Sequence, residues 1–198
     1  MNRKAKGFVL DMDGTLLDLP VDWGKVRAEV SGLAGSVGTG PVFETIAQLI
    51  GERPDLKARL FSAVDRFELE AEPRAELFEG SKEVLELLSG SAELALVTMQ
   101  GKKVRDKVLG RLGLVARFKV LVSREDSLER AGQLEMAVAK LGLRKQDVVF
   151  VGDRIHDFNS AARVGVEFVM IRDRNRPAGA EAFPNMKAFL SYLRGQKG

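Results

Sequence analysis

The chain has 198 residues with a net charge of +3 from 31 basic and 28 acidic residues, a length that excludes two full-sized domains and a charge too mild and evenly spread for nucleic-acid binding. No apolar run approaches the roughly 20 residues of a membrane span, and Asn2-Arg3-Lys4-Ala5-Lys6 leads into a strand too short for a signal peptide's apolar region, so we expect no membrane partner and a cytoplasmic location. Cysteine is absent, which excludes disulfides, thiol catalysis and cysteine-ligated zinc.

The first predicted element is a buried strand at Phe8-Val9-Leu10, which leads directly into Asp11-Met12-Asp13-Gly14-Thr15-Leu16. Open α/β sheets bind ligands at the carboxyl ends of their strands, so these acidic residues are expected in a functional site. In extended chain the carboxylates of Asp11 and Asp13 point the same way, and Gly14 permits a turn. At about 4 Å and an effective dielectric of about 20 they repel by roughly 4 kcal/mol, a cost that a cation or a shared proton must offset, and we expect a divalent metal.

Three amphipathic helices are predicted next, in a helical insert that runs from residue 17 to about 78. Their apolar positions are Trp23, Val26, Val30 and Leu33, then Phe43, Ile46, Leu49 and Ile50, then Leu56, Leu60, Val64 and Phe67. Asp22 is predicted to cap the first helix and Gly51 to end the second. A glycine-rich run, residues 35–41, separates these two helices.

From Ser81 onward, predicted helices and strands alternate. The strands are Leu94 to Val97, Val120 to Val122, Val148 to Val151 and Phe168 to Ile171, and a closing helix covers Met186 to Leu193, with Asn185 as its cap. Strands that alternate with helices pair in parallel. With the first strand, they predict an α/β fold with a doubly wound parallel sheet of five strands.

Two of these strands end in polar residues that extend the pattern of the first motif. Leu94-Ala95-Leu96-Val97-Thr98 ends in a hydroxyl, and the strand at Val148 to Val151 leads into Gly152-Asp153-Arg154-Ile155-His156-Asp157. The three motifs together resemble the signatures of the haloacid dehalogenase superfamily, in its phosphoglycolate phosphatase-like branch. The resemblance covers essentially the whole chain. It implies a Rossmann-like core, residues 1–16 and 79–198, and a small helical cap domain, residues 17–78, that closes over the active site and selects the substrate.

The third family motif is where this sequence departs from the pattern. In the family a Lys, often followed by Pro, neutralises the nucleophile and the phosphate, but residues 123–133 contain neither residue. Arg130 is the best substitute, because its planar fork suits phosphate oxygens. Arg124 is the second candidate and Lys102 the third. The alternative is that Arg130 is a solvated residue at a helix start.

The resemblance implies a Mg²⁺-dependent phosphatase that hydrolyses a small phosphorylated metabolite through an aspartyl phosphate. Asp11 would be the nucleophile, and Asp13 would protonate the leaving oxygen and then activate water. Asp153 would complete a metal site with Asp11 and the backbone carbonyl of Asp13, an all-oxygen shell suited to Mg²⁺. Asp157 would hold the metal's waters or coordinate the ion directly.

Phosphate binding is assigned by the same resemblance to the ends of two strands. The Thr98 hydroxyl would donate to a phosphate oxygen beside the backbone amides of Met12, Asp13 and Met99. Arg130 would supply the positive charge.

Two other functions keep the same residues. A phosphoglucomutase-like phosphotransferase has all four carboxylates, and a non-catalytic phosphate or metabolite binder is compatible with the altered third motif. A dehalogenase is disfavoured by Asp13, since a halide leaving group needs no proton.

Trp23, Phe43 and the glycine-rich run are candidate substrate contacts, while His156 is assigned to loop packing. The sequence leaves the substrate and the oligomeric state open.

Overall fold

The computed structural model describes residues 5–35, 40–172 and 176–195. Most of the glycine-rich run, residues 36–39, therefore lies outside the described residues, as do residues 2–4. The strands are β1 (Gly7–Asp11), β2 (Leu17–Asp18), β3 (Glu76–Leu77), β4 (Glu93–Val97), β5 (Val120–Val122), β6 (Val148–Gly152), β7 (Glu167–Ile171) and β8 (Glu181–Phe183). The helices are α1 (Trp23–Ala34), α2 (Val42–Glu52), α3 (Lys57–Ala71), α4 (Ser81–Ser89), α5 (Lys102–Arg111), α6 (Arg130–Leu141), α7 (Ile155–Val164) and α8 (Met186–Gly195).

Six of the strands form one parallel sheet in the order β5-β4-β1-β6-β7-β8, which confirms the predicted α/β fold. The central strand is β1, whose Leu10 pairs with Leu96 of β4 on one side and Val151 of β6 on the other. The carboxyl ends of these three strands are therefore neighbours. The sheet has one strand more than predicted, because β8 adds to β7 at its edge.

The sheet is covered by helices on both faces. Because side chains alternate along a strand, Phe8 and Leu10 pack into an apolar cluster with α4, α5 and α8, whereas Val9 packs into a second cluster with α6 and α7. These two clusters bury β1 on both faces of the sheet.

The helical segment, residues 17–78, has an apolar cluster of its own. Val26 of α1, Ile46 of α2 and Leu60 of α3 are completely buried in it. Its two ends meet in a short antiparallel pair, in which Leu17 of β2 lies opposite Leu77 of β3. The chain therefore enters and leaves the segment at this pair, directly after the first motif.

Most helix ends follow their sequence signals. Asp22 Oδ1 accepts a hydrogen bond from the Lys25 amide at 3.1 Å, and Asn185 Oδ1 accepts one from the Ala188 amide at 2.9 Å. The predicted end of α2 at Gly51 is wrong. The helix continues to Glu52, and the chain leaves it at Arg53 because Pro54 disfavours helical geometry in the residue before it.

Within the described residues, none of the helices combines the length and the hydropathy that a bilayer crossing requires.

Candidate active site

Three aspartates meet at the carboxyl ends of β1 and β6. Asp11 is the last residue of β1, Asp153 follows β6, and Asp157 lies in the first turn of α7. One carboxylate oxygen from each lies within 4.8 Å of the other two, and Asp11 and Asp157 are buried. This group of three carboxylates could hold a metal ion.

The surroundings of these aspartates make their negative charges costly. Burial, together with the charges of Asp11 and Asp157, raises the pKa of Asp153 above its usual range, and burial with the charge of Asp157 raises the pKa of Asp11. Burial also raises the pKa of Asp13 to about 6, although its Oδ1 accepts a hydrogen bond from the Leu19 amide at 2.9 Å. Uncompensated negative charge on an all-oxygen donor set fits a hard divalent cation such as Mg²⁺.

The buried side chain of Arg130 provides one positive charge at this site. Its Nη2 lies 2.9 Å from Asp11 Oδ1, and its Nε lies 3.0 Å from Asp157 Oδ1. The Nε–H lacks hydrogen-bond geometry to any acceptor in the described residues, so this second contact is electrostatic only. Although burial opposes its charge, Asp11 and Asp157 raise the pKa of Arg130. Of the other two candidates, Arg124 pairs with α3 and Lys102 is exposed.

Gln133, one turn along α6, connects Arg130 to the neighbouring strand end. Its Oε1 accepts a hydrogen bond from Arg130 Nη1 at 3.0 Å, and its Nε2 donates to the carbonyls of Thr98 and Ser127, each at 2.9 Å. Gln133 was not predicted as a site residue from the sequence. Its spacing of three residues from Arg130 places both on one helix face, which is the signal that could have found it.

The loop after β4, residues 98–101, lies beside the aspartates. Thr98 is fully buried, and its hydroxyl donates to Gln100 Oε1 and accepts from the Gln100 amide at 3.2 Å. Met12, at the end of β1, is also fully buried. The side chains of both residues therefore lie beneath the surface that the larger part of a ligand would contact.

A cavity of about 620 Å³ separates this end of the sheet from the helical segment. From the sheet side it is lined by the predicted site residues Asp11, Asp13, Met99, Arg130 and Asp157, and from the helical side by Trp23, Arg27, Val42, Phe43 and Glu44. His156 lines it as well. Burial, followed by the charge of Arg130, lowers the pKa of His156, which keeps the ring neutral at pH 7.

Gly14 fixes the turn between β1 and the helical segment. It has a φ of 87°, and a Cβ there would overlap the Asp153 carboxylate, with Cγ only 2.8 Å away. The turn therefore lies directly against one of the three clustered aspartates.

Gly14→Ala is expected to destabilise the protein by about 1–2 kcal/mol for its positive φ alone, and further because Asp153 must move. Gly165→Ala is the matched control, since Gly165 has a φ of 83° with open space around its Cβ position. Chemical unfolding of both variants measures the difference. Equal destabilisation would show that Asp153 does not restrain the turn.

The parallel sheet and the acidic cluster give the chain an α/β fold with a candidate site at the carboxyl ends of the central strands, where α/β enzymes bind their ligands. The family described as haloacid dehalogenase-like hydrolase matches residues 39–171. The chain belongs to this family of hydrolases, as the motifs predicted.

Individual relatives agree with this assignment. A phosphoglycolate phosphatase from Synechococcus elongatus is 29% identical over 180 residues, which cover 84% of this chain and 83% of the relative. An N-acetylmuramic acid 6-phosphate phosphatase from Pseudomonas putida is 25% identical over 191 residues, which cover 85% and 83%. A solved haloacid dehalogenase-like hydrolase from Streptococcus pneumoniae has the same fold, with a TM-score of 0.71 at 17% identity over 98% of this chain and 100% of that one.

Proposed function

We propose that this protein is a Mg²⁺-dependent phosphatase that hydrolyses a small phosphorylated metabolite through an aspartyl phosphate on Asp11. One observation carries the proposal: Asp11 ends the central strand at the floor of the cavity, with Arg130 at 2.9 Å and two further carboxylates within 4.8 Å. The two curated relatives described above are phosphatases, which supports the reaction class.

The acidic cluster supplies the proposed metal site. Asp11, Asp153 and Asp157 would hold the ion together with the backbone carbonyl of Asp13, since Mg²⁺ prefers oxygen ligands. When bound, the ion would neutralise negative charge on the phosphoryl group.

The chemical steps use two carboxylates of the first motif. An oxygen of Asp11 attacks phosphorus, and the bond to the ester oxygen breaks as Asp13 gives that oxygen a proton. Asp13 then takes a proton from a water molecule, whose oxygen attacks phosphorus, releases inorganic phosphate and restores Asp11. A pKa of about 6 suits Asp13 for both roles, because catalytic acids and bases work best near the operating pH.

Phosphate binding is proposed to use Arg130 and the backbone amides of Met12, Asp13 and Met99. Arg130 already lies against Asp11 and would draw the transferred group toward it. The Thr98 hydroxyl would join these groups by turning from Gln100 toward the phosphate.

We further propose that the helical segment, residues 17–78, is a cap domain over a core of residues 1–16 and 79–198. The short β2–β3 pair is the joint between the two parts, and the cavity is lined from both. Trp23 and Phe43 form an edge-to-face pair with centroids 5.7 Å apart on the cap side. Their position opposite the aspartates suits contact with the leaving group, where substrates differ.

Arg130→Ala is expected to lower kcat by about 10²- to 10³-fold, the usual cost of losing one preorganised group that binds developing negative charge. Arg130→Lys should recover part of this loss, because it restores the charge but not the fork. Arg163→Ala, which removes an exposed arginine paired with Glu129, is the control. Steady-state kinetics of the three variants test the assignment, and near-normal turnover in Arg130→Ala would contradict it.

The proposed function is tested by measuring phosphate release from a panel of esters with Mg²⁺ and with chelator. The panel includes phosphoglycolate, N-acetylmuramic acid 6-phosphate and hexose phosphates. We expect metal-dependent release from at least one ester. Transfer of phosphate between sugar positions without release would instead indicate the phosphotransferase. Binding of phosphate with neither release nor transfer would indicate the non-catalytic alternative.

A further inference from the structure

Arg124 is a fully buried arginine that joins the sheet to the helical segment. It follows β5, and its Nη1 lies 2.7 Å from Glu68 Oε1 on α3, while its Nη2 pairs with Asp65 on the same helix. The side chains of Arg124 and Glu68 are both 0% exposed. The proposed third family motif and the proposed aspartate chemistry use neither residue.

The guanidinium of Arg124 also lies near two aromatic rings. Its Cζ lies 5.8 Å from the ring centroid of Phe43 and 5.5 Å from that of Phe61, distances at which a cation interacts favourably with an aromatic ring. Both rings belong to the helical segment. A core residue is thus held by an aromatic and acidic pocket on the other part of the molecule.

Stability alone explains this arrangement poorly. Burial raises the pKa of Glu68 to about 7 despite the attraction of Arg124, so removal from water outweighs the gain from pairing. The Nε of Arg124 is also buried without a hydrogen-bond partner in the described residues, a further cost.

The pair instead holds the backbone of the loop formed by residues 98–101. Arg124 Nη1 donates to the Met99 carbonyl at 3.1 Å, and Glu68 Oε2 accepts from the Gly101 amide at 3.1 Å. At Gly101 the φ of −65° is ordinary, but a Cβ would lie 2.7 Å from Arg124 Nη2. The same Cβ would also overlap Asp65 Oδ1, so any larger residue at position 101 would have to displace the side chains of Asp65 and Arg124.

We propose that Arg124 and Glu68 are positioning residues that hold the loop of residues 98–101 in its phosphate-binding geometry, an inference that rests on the proposed function. Because Glu68 belongs to α3, the loop is correctly placed only while this helix is docked against the sheet. Phosphate binding and the docking of the helical segment are therefore coupled through one buried ion pair.

The test is the double variant Arg124→Met/Glu68→Leu, which leaves neither of these two charges buried without its partner. Asp65 also loses Arg124, but its side chain is 30% exposed and can be hydrated, so the fold is preserved. We expect the Gly101 amide to exchange hydrogen faster, inorganic phosphate to inhibit more weakly, and kcat/KM to fall by about 10- to 100-fold as phosphate is misplaced. The single variant Glu68→Gln, which keeps Arg124, should bind phosphate better than the double variant, since the amide oxygen of Gln can still accept a hydrogen bond from the Gly101 amide.

A matched control is Arg111→Met/Glu72→Leu, which removes another ion pair between α5 and the helical segment, with Arg111 Nε 2.8 Å from Glu72 Oε1. It should leave the Gly101 amide exchange and the inhibition by phosphate near their wild-type values. An equal effect in the control would overturn the assignment to Arg124 and Glu68.

Unchanged Gly101 exchange and unchanged phosphate inhibition in the Arg124→Met/Glu68→Leu variant would also overturn the inference. If that variant does not fold, Gly101→Ala tests the same contact, and normal phosphate binding by it would overturn the inference. A wild-type protein that hydrolyses no ester would refute the proposed function, while the exchange of the Gly101 amide would still decide the role of the pair.

Discussion

Asp11→Asn is expected to lower phosphate release by at least about 10⁴-fold, the scale of loss seen when a catalytic nucleophile is removed. The amide that replaces the carboxylate cannot form the aspartyl phosphate. Arg130 keeps its contact with Asp157 at 3.0 Å, so its charge stays paired. Release of phosphate by wild type and variant under identical conditions measures this loss.

The same substitution should leave the metal-free protein at least as stable as wild type. Burial and the charge of Asp157 raise the pKa of Asp11 above its ordinary value of 3.8. Because this pKa is raised in the folded state, the protein loses stability as the pH rises from the ordinary pKa to the raised one. Over that interval the folded state must give up a proton that it binds more tightly than the unfolded state does. Asn has no proton to lose, so its advantage should grow from about pH 4 to about pH 6, between the ordinary and the raised pKa of Asp11, and stay level at higher pH.

Chemical unfolding in the presence of chelator measures this advantage. Asp18→Asn is the control, because Asp18 is an exposed aspartate of the neighbouring strand β2. It should leave both activity and stability near wild type. A less stable Asp11→Asn protein at pH 8, relative to this control, would refute the argument from crowded carboxylates.

Removal of divalent metal is expected to abolish turnover, and added Mg²⁺ should stabilise the fold by about 2.7 kcal/mol at 100 times its Kd. At a fixed Mg²⁺ concentration the stabilisation should be larger at pH 8 than at pH 6. Burial and neighbouring charges raise the pKa of Asp153, so protons compete with the ion at the lower pH. Thermal unfolding at increasing Mg²⁺ concentration and at both values of pH measures the shift.

Asp153→Asn separates this effect from general ion binding. The variant should lose most of the Mg²⁺-dependent shift, whereas Asp55→Asn, which removes an exposed carboxylate paired with Arg53, should keep it. An equal shift in all three proteins would place the metal outside the aspartate cluster.

The sheet could be predicted as far as its strands form apolar runs. All five predicted strands were found, since their burial on both faces gives each of them a continuous run of apolar residues in the sequence. Strand β8 (Glu181–Phe183) has three residues, as β5 does, but it was missed because all three are only partly buried and one is charged. Strands β2 and β3 have two residues each, and only their pairing with each other defines them.

In the candidate site, residues that belong to local sequence motifs could be predicted, whereas contacts between distant parts of the chain could not. The clustering of Asp11, Asp153 and Asp157 could be predicted because they lie at or shortly after the ends of β1 and β6, which are neighbours in the sheet. The sequence leaves three candidates for the positive charge beside Asp11, because it does not show how α6 is placed. In the structure Arg130 lies next to Asp11. The contact between Arg124 and Glu68 joins residues 56 positions apart, which no local pattern reveals.

An aspartyl phosphate on Asp11 can be trapped and located in the chain. The enzyme is quenched during turnover of its best ester with Mg²⁺, reduced with borohydride, digested and mapped by mass spectrometry. We expect homoserine at position 11, the reduction product of an aspartyl phosphate, and none with chelator or in Asp11→Asn. Homoserine at another aspartate, or phosphate release undiminished in Asp11→Asn, would contradict the account.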